Sequence, residues 1–425
     1  MTAGIASAHR AVEAVWRIES GRIIAGLAGL VRDVGLAEEL AQDALVAALE
    51  QWPAEGIPAN PGAWLMLTGR HRAIDRIRRD ERLRAKLVLL GREAANGVLG
   101  TPPEFDAVVD DEAIDDDLLR LMFIACHPAL STEARIALTL RLLGGLTTEE
   151  IARGFLVPEP TIAKRITRAK RTLADRGVPF EVPPRAELPA RLSSVLEVLY
   201  LVFNEGYSAM AGEDWMRPAL CDEALRLGRV LAALMPAEAE VHGLVALMEI
   251  QASRIPARLG PDGLPVPLPE QNRGRWDQLL IRRGFTALLR AQERDGPPGP
   301  YVLQAAIAAS HAQARTAAET DWRQIAALYQ GLAALTASPV VELNRAVAIA
   351  MADGPEHGLR ILDGLAGEPA LAGYHHLPSV RGDLLARLGR HGEAADEFRR
   401  AASLTRNAAE RAALEKRAIE CEARS

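Results

Sequence analysis

The chain has 425 residues, 49% hydrophobic and 25% charged. That balance belongs to soluble globular domains and excludes a disordered or fibrous chain; at roughly 100–200 residues per domain it predicts about two to four domains. The formal net charge of −6 argues on average against nucleic acid, but the average conceals a strong asymmetry along the chain. Aromatic residues make up only 4%, so cores built from Ala, Leu, Ile and Val are expected, and these favour an all-α fold. Cys126, Cys221 and Cys421 stand alone without metal-ligand spacing, which argues against a disulfide scaffold or a zinc site. Met1 to Val15 has no apolar core of a signal peptide, and no apolar run reaches the roughly 18 residues that span a bilayer. A cytoplasmic chain without a membrane partner is the expectation.

The first strong periodicity runs from Leu36 to Trp52. Ala37, Leu40, Ala41, Ala44, Leu45, Ala48, Leu49 and Trp52 recur at helical spacing and define a buried stripe. Glu38, Glu39, Gln42 and Asp43 fall off that stripe and read, without context, as a solvated face. A Pro/Gly/Asn loop follows, and then a helix whose expected inner face is Trp64, Leu67, His71, Ile74 and Ile77. It carries Arg70, Arg72, Arg76, Arg78, Arg79, Arg82, Arg84 and Lys86. Arg72, Arg76 and Arg79 share one face, the footprint of a helix that tracks phosphates. The next stretch reverses sign: Glu104, Asp106, Asp110, Asp111, Glu112, Asp115, Asp116 and Asp117 read as a solvated acidic linker.

Residues 133–174 spell a helix stopped by Gly144-Gly145 and a short second helix capped by Thr147 or Thr148. After the turn Phe155-Leu156-Val157-Pro158, a third helix starts near Pro160 or Thr161. Its apolar back is Ile162, Ile166, Ala169 and Leu173; Lys164, Arg165, Arg168 and Arg171 lie off that back. Two short helices, a turn and a basic third helix form a helix-turn-helix; an ordinary cationic three-helix bundle is the alternative.

With these segments in this order, residues 1–180 resemble the extracytoplasmic-function (ECF) sigma factors of bacterial RNA polymerase. AEELAQDALVAALEQW is similar to the part of sigma domain two that binds the polymerase clamp. NPGAWLMLTGRHRAIDRIRRDERL is similar to the part that melts and reads the −10 element. LTTEEIARGFLVPEPTIAKRITRAKRTL is similar to the domain-four helix-turn-helix that reads the −35 element. The resemblance implies polymerase contacts at Glu39, Gln42 and Asp43. It implies DNA contacts at Arg70, Arg72, Arg76 and Arg79, and at Thr161, Lys164, Arg165, Arg168 and Arg171. Core RNA polymerase and promoter DNA (−10 and −35 elements) are the implied partners, with no catalysis, metal or cofactor of the chain's own. Leu156 and Pro160 stand where many relatives have Gly, and Ala163 where Lys or Arg is frequent.

Most members of that group stop near the equivalent of residue 185. Here LLARLGRHGEAADEFRRAASL has the helix-pair pattern of a tetratricopeptide repeat, with Leu384, Leu388, Gly389, Ala394, Phe398 and Ala401 at its packing positions. AVAIAMADGPEHGLRIL is a weaker copy upstream, near the repeat period of about 34 residues. Further helices are expected at about 190–204, 216–234, 238–252, 273–293, 301–316 and 321–337, interrupted by the Pro/Gly insert Ile255–Asp277. VLYLVFNEGYSA is similar to the motif opening the extension of a sigma subgroup with helical repeats. Such repeats present a groove to a protein partner. Glu205, Tyr207, His242, Glu249, His311, His375 and His376 form no catalytic pattern, and Tyr374-His375-His376 reads as a loop between helices rather than a metal site. The expected domains are residues 1–90 (sigma domain two), 91–117 (acidic linker), 118–180 (sigma domain four) and 186–425 (a helical-repeat domain regulating in cis). The alternatives are a helix-turn-helix regulator with a repeat-type sensor and no sigma activity, and a scaffold whose basic helices bind an anionic protein.

Overall fold

The computed structural model describes residues 2–91, 111–209, 211–212, 215–294 and 296–424. Among them are eighteen α-helices and one pair of two-residue strands, as the Leu/Ala-rich composition predicts. They divide into two compact units, Met1–Val198 and Leu199–Ser425. No described helix is long and apolar enough to cross a membrane.

The first unit starts with α1 (Thr2–Val31), α2 (Val34–Glu55) and α3 (Pro61–Gly91), which pack on one another. Asp33 caps α2, its carboxylate accepting from the Leu36 N–H at 2.8 Å. The predicted α2 stripe is buried at Ala37, Leu40, Ala41, Ala44, Ala48 and Trp52, and Trp52 meets Trp64 edge-to-face at 5.6 Å. The inner face of α3 differs from the expectation. Leu65, Met66, Gly69 and Ala73 point inward, while Leu67 and His71 are exposed. Close approach to α1 explains this: a Cβ at Gly69 would stand 2.9 Å from Leu27 Cδ1, so small residues face α1 and large ones turn away.

Helix α4 (Asp111–Ala125) begins inside the expected linker 91–117. Its last acidic residues are helical because Leu118, Leu121 and Met122 bury against the bundle and carry the helix with them. Asp117 pairs with Arg120 at 2.5 Å, and burial pushes its carboxyl above the ordinary range despite that arginine. The acidic residues before 111 lie outside the described residues.

The helix-turn-helix follows as α5 (Thr132–Leu142), α6 (Thr148–Phe155) and α7 (Glu159–Asp175). The chain then enters α8 (Leu188–Tyr207). Its first half belongs to the first unit: Ser194 Oγ donates to the Cys126 carbonyl at 2.7 Å, and Arg191 Nη2 to the Phe123 carbonyl at 2.9 Å. Arg135 reaches Glu197 at 3.0 Å. The first unit therefore runs to Val198.

The second unit continues with α9 (Pro218–Leu234), α10 (Ala239–Ala252), α11 (Gln278–Gln292), α12 (Pro300–Gln313) and α13 (Trp322–Thr336), close to the expected spans. The insert between α10 and α11 holds three single 3₁₀ turns. Then come α14 (Pro339–Asp353), α15 (Pro355–Leu365), α16 (His376–Arg387), α17 (His391–Leu404) and α18 (Ala408–Glu422). Leu384, Ala394, Phe398 and Ala401, all expected packing positions, share one core with Leu343, Ala346 and Leu362 of the upstream pair. Strand β1 (Ala211–Gly212) pairs in parallel with β2 (Arg406–Asn407). Asn407, fully buried, donates from Nδ2 to the Ala209 carbonyl at 3.1 Å.

Candidate nucleic-acid and polymerase interface

Helix α7 is amphipathic in the predicted sense. Ile162, Ile166, Ala169 and Leu173 are buried, and α7 packs on α5 and α6. Lys164, Arg168 and Arg171 are exposed, and Arg165 and Thr161 are half-buried. The capping-box sequence folds α6 as expected: Thr147 Oγ1 accepts from the Glu150 N–H at 3.1 Å and Glu150 Oε2 from the Thr147 N–H at 2.9 Å. Burial raises the Glu150 carboxyl, but the Thr147 amide and the paired Arg17 outweigh it and hold the group below its ordinary range. Leu156 ends α6 in the left-handed region at φ 51°, which accounts physically for the Gly expected there. Helix α7 begins one residue earlier than predicted, with Pro160 in its first turn.

Thr161, Lys164, Arg165 and Arg168 line a hollow of 480 Å³ with Ala129, Leu130, Ser131 and Ala134 at the start of α5. Ser131 caps α5, accepting from the Ala134 N–H at 3.3 Å. A helix start beside three cations gives the hollow the electrostatics of a phosphate seat.

On α3, Arg76 and Arg79 are exposed, and Arg70 and Arg72 are half-buried. On α2, Glu39 and Asp43 are exposed and Gln42 is half-buried. The two sets touch: Arg72 Nη1 lies 3.7 Å from Asp43 Oδ2. Arg76 pairs within its own helix with Asp80 at 3.4 Å.

Glu38, expected off the stripe, is 3% exposed. Its Oε1 accepts from Arg141 Nε of α5 and from Gln42 Nε2, both at 2.7 Å, and Oε2 pairs with Lys170 of α7. Arg17 of α1 pairs with Glu150 of α6. Gly145, at φ 65°, lets the chain pass Ser20 of α1, where a Cβ would come within 2.5 Å of the hydroxyl oxygen. The helix-turn-helix is thus docked on the helices of the first bundle through a buried carboxylate held by two cations. Local periodicity gives no sign of this, because the cationic partners of Glu38 lie more than a hundred residues downstream.

Residues 19–83 match the family Sigma-70 region 2, and residues 120–173 the family Sigma-70, region 4. The ECF RNA polymerase sigma factor SigK of Mycobacterium ulcerans (strain Agy99) is 28% identical over 156 residues, covering 36% of this chain and 78% of that protein. The first unit thus carries both sigma-70 regions and is similar to ECF-type sigma factors. SigK of Mycobacterium bovis (strain BCG / Pasteur 1173P2) is 29% identical over 148 residues, covering 34% of this chain and 73% of that protein. An uncharacterized protein of Rhizobium meliloti (strain 1021) is 45% identical over 381 residues, covering 90% of this chain and 89% of that protein. Residues 191–292 match a family of unknown function, DUF6596.

The titratable residues singled out in the second half of the chain have local partners. Glu205 pairs with Arg217, and Arg258 stacks on Tyr207 at 3.4 Å and Trp215 at 4.1 Å. His242 Nε2 meets the Pro236 carbonyl at 2.9 Å, and Glu249 pairs with Arg229 at 2.8 Å. His311 packs edge-on against Trp322 at 5.1 Å; burial, aided by Arg254 and Arg273, lowers it to about 3. His375 and His376 stand apart from these, beside Glu410.

Proposed function

We propose that this chain binds core RNA polymerase through the α2 surface bearing Glu39, Gln42 and Asp43 and directs promoter-specific initiation. Helix α3 meets the −10 element with Arg70, Arg72, Arg76 and Arg79. Helix α7 enters the major groove at −35 with Thr161, Lys164 and Arg165 near its start, where base edges are reached, and Arg168 and Arg171 further along on phosphate. The observation that carries this reading is α7 itself: a buried apolar back against α5 and α6, with its cations beside a capped helix start. Transcription reconstituted with core polymerase on genomic fragments tests it. Initiation from defined start sites is the expected result; duplex binding without initiation would favour a regulator lacking sigma activity.

The second unit is read as a tetratricopeptide-like regulator acting in cis and presenting a groove to a protein partner. Its support is the pairing of α14 with α15 and α16 with α17 around Leu362, Leu384 and Phe398. Promoter output of residues 1–198 against the full chain tests the regulation. The cut falls at 198 because Arg191 and Ser194 bond back to Phe123 and Cys126.

A further inference from the structure

We propose that His375, His376 and Glu410 form a binding site for one divalent transition metal ion of the zinc class. Among the described residues they are the one group of three such side chains whose donor atoms all lie within 4.8 Å of one another. His375 and His376 sit at the start of α16, and Glu410 lies in the first turn of α18. The imidazole centroids are 4.0 Å apart. His375 Nε2 is buried, makes no aligned hydrogen bond, and lies 3.2 Å from Glu410 Oε2.

The carboxylate is fixed from behind. Thr405 Oγ1 donates to Glu410 Oε2 at 2.8 Å, and Trp215 Nε1 to Oε1 at 3.4 Å. Asn407, fully buried, caps α18 by accepting from the Glu410 N–H at 3.2 Å. On the other side the Ser379 N–H donates to the His375 carbonyl at 3.1 Å and anchors the first turn of α16. Outer hydrogen bonds of this kind orient ligating side chains and are a regular part of metal sites.

The geometry is close to that of a bound ion. Bonds of about 2.0–2.2 Å in a tetrahedron separate donors by roughly 3.3–3.6 Å. The widest pair must therefore close by about 1 Å, within reach of a side-chain torsion. Two imidazoles and a carboxylate suit zinc and its neighbours rather than magnesium or calcium, and leave one coordination position open. The three residues line a cleft of 790 Å³ that also contains Arg254, Arg258, Lys416 and Arg417, so the open position favours water or an anionic co-ligand. A histidine–glutamate ion pair alone would use one imidazole; the second, against the first, is what the metal explains.

The test uses the full chain, untagged and stripped with a chelator, titrated with Co²⁺ for its visible tetrahedral spectrum and with Zn²⁺ against a chromophoric chelator. The expected result is stoichiometric binding of one ion at micromolar protein. His376→Asn and Glu410→Gln should each weaken zinc by more than the roughly 10–100-fold that removal of an outer-shell partner costs, and Thr405→Val should fall within that range. His357→Asn, a histidine outside the cluster, should bind as the wild type does. Helicity is measured for every variant; His375→Asn replaces any that melts. No binding at micromolar concentration, binding only at millimolar metal, or undiminished binding by folded His376→Asn would each overturn the assignment.

Discussion

Replacing Lys170 by Met should loosen the grip of the helix-turn-helix on the first bundle and raise apparent affinity for core polymerase. Elements centred at −10 and −35 are roughly 25 base pairs apart, about 85 Å of straight duplex. The contacts run from Arg72 to Asp43, along α2 to Glu38, across to Lys170 and along α7 to Lys164. That path covers at most about 50 Å, at 1.5 Å rise per helical residue plus side-chain reach. On the proposed assignment of α3 to −10 and α7 to −35, the docked form cannot reach both elements at once, and promoter binding requires opening at Glu38. A charge-assisted bond is worth about 1.5–3 kcal/mol. Lys170 is 24% exposed and Arg141 remains on Glu38, so about 1–2 kcal/mol is the expected loss. That multiplies the open-to-closed ratio about tenfold and, on the reading that core polymerase takes up only the open form, tightens core binding by up to the same factor while the closed form dominates. The assay is titration with core polymerase without DNA, so that the lost charge does not enter through phosphate. Spin labels at Val46→Cys and Thr167→Cys, both exposed, report the distance between α2 and α7. The native cysteines are buried, and burial pushes Cys126 and Cys221 up to about 11 and about 12, so they compete poorly for label. Unchanged affinity together with an unchanged distance distribution would refute the reasoning.

Arg168→Ala or Arg171→Ala should weaken binding to all duplexes alike and lower the salt slope by about 0.9 each, whereas Lys164→Ala and Arg165→Ala should relax preference at −35; binding isotherms across salt and sequence separate the two. Charge reversal at Glu39 and Asp43 should weaken holoenzyme assembly with helicity intact, checked by core titration and circular dichroism. Thr147→Ala removes the cap of α6 and should cost about 1 kcal/mol in denaturant unfolding of residues 1–198. His311 is held neutral in the fold, so the unfolded chain takes up the proton first; stability from this group is complete above its ordinary 6.5 and declines as pH falls toward about 3. The loss between pH 7 and pH 5 is about 2 kcal/mol, and calorimetry of His311→Phe should show that much less pH dependence than the wild type.

The α2 stripe was legible because Ala and Leu at helical spacing have one way to bury, and α7 because its apolar and basic residues segregate cleanly. Helix α3 was read out of phase: size suggested Leu67 and His71, but contact with α1 selects Gly69 and Ala73, and that contact is not encoded within α3. Glu38 was misread for the same reason, its burial depending on Arg141 and Lys170. The acidic run looked uniform, yet Leu118 and Leu121 draw its end into α4. The second unit's helices were legible from periodicity, whereas the third donor beside His375 and His376 lies on another helix and only the fold brings it near.

Pairing of β1 with β2 sets an order of events at synthesis. From Val198 to Asn407 the ribosome must add about 210 residues, roughly 10–40 s at 5–20 residues per second. Until then Ala209 has no Asn407 side chain to accept from, and β1 has no partner. Every nascent chain therefore passes through an interval with its promoter-reading half complete and its second unit unclosed. On the proposed reading of control in cis, that control begins with the last twentieth of the chain, and a transcript truncated anywhere upstream of Arg406 would yield a protein that never acquires it.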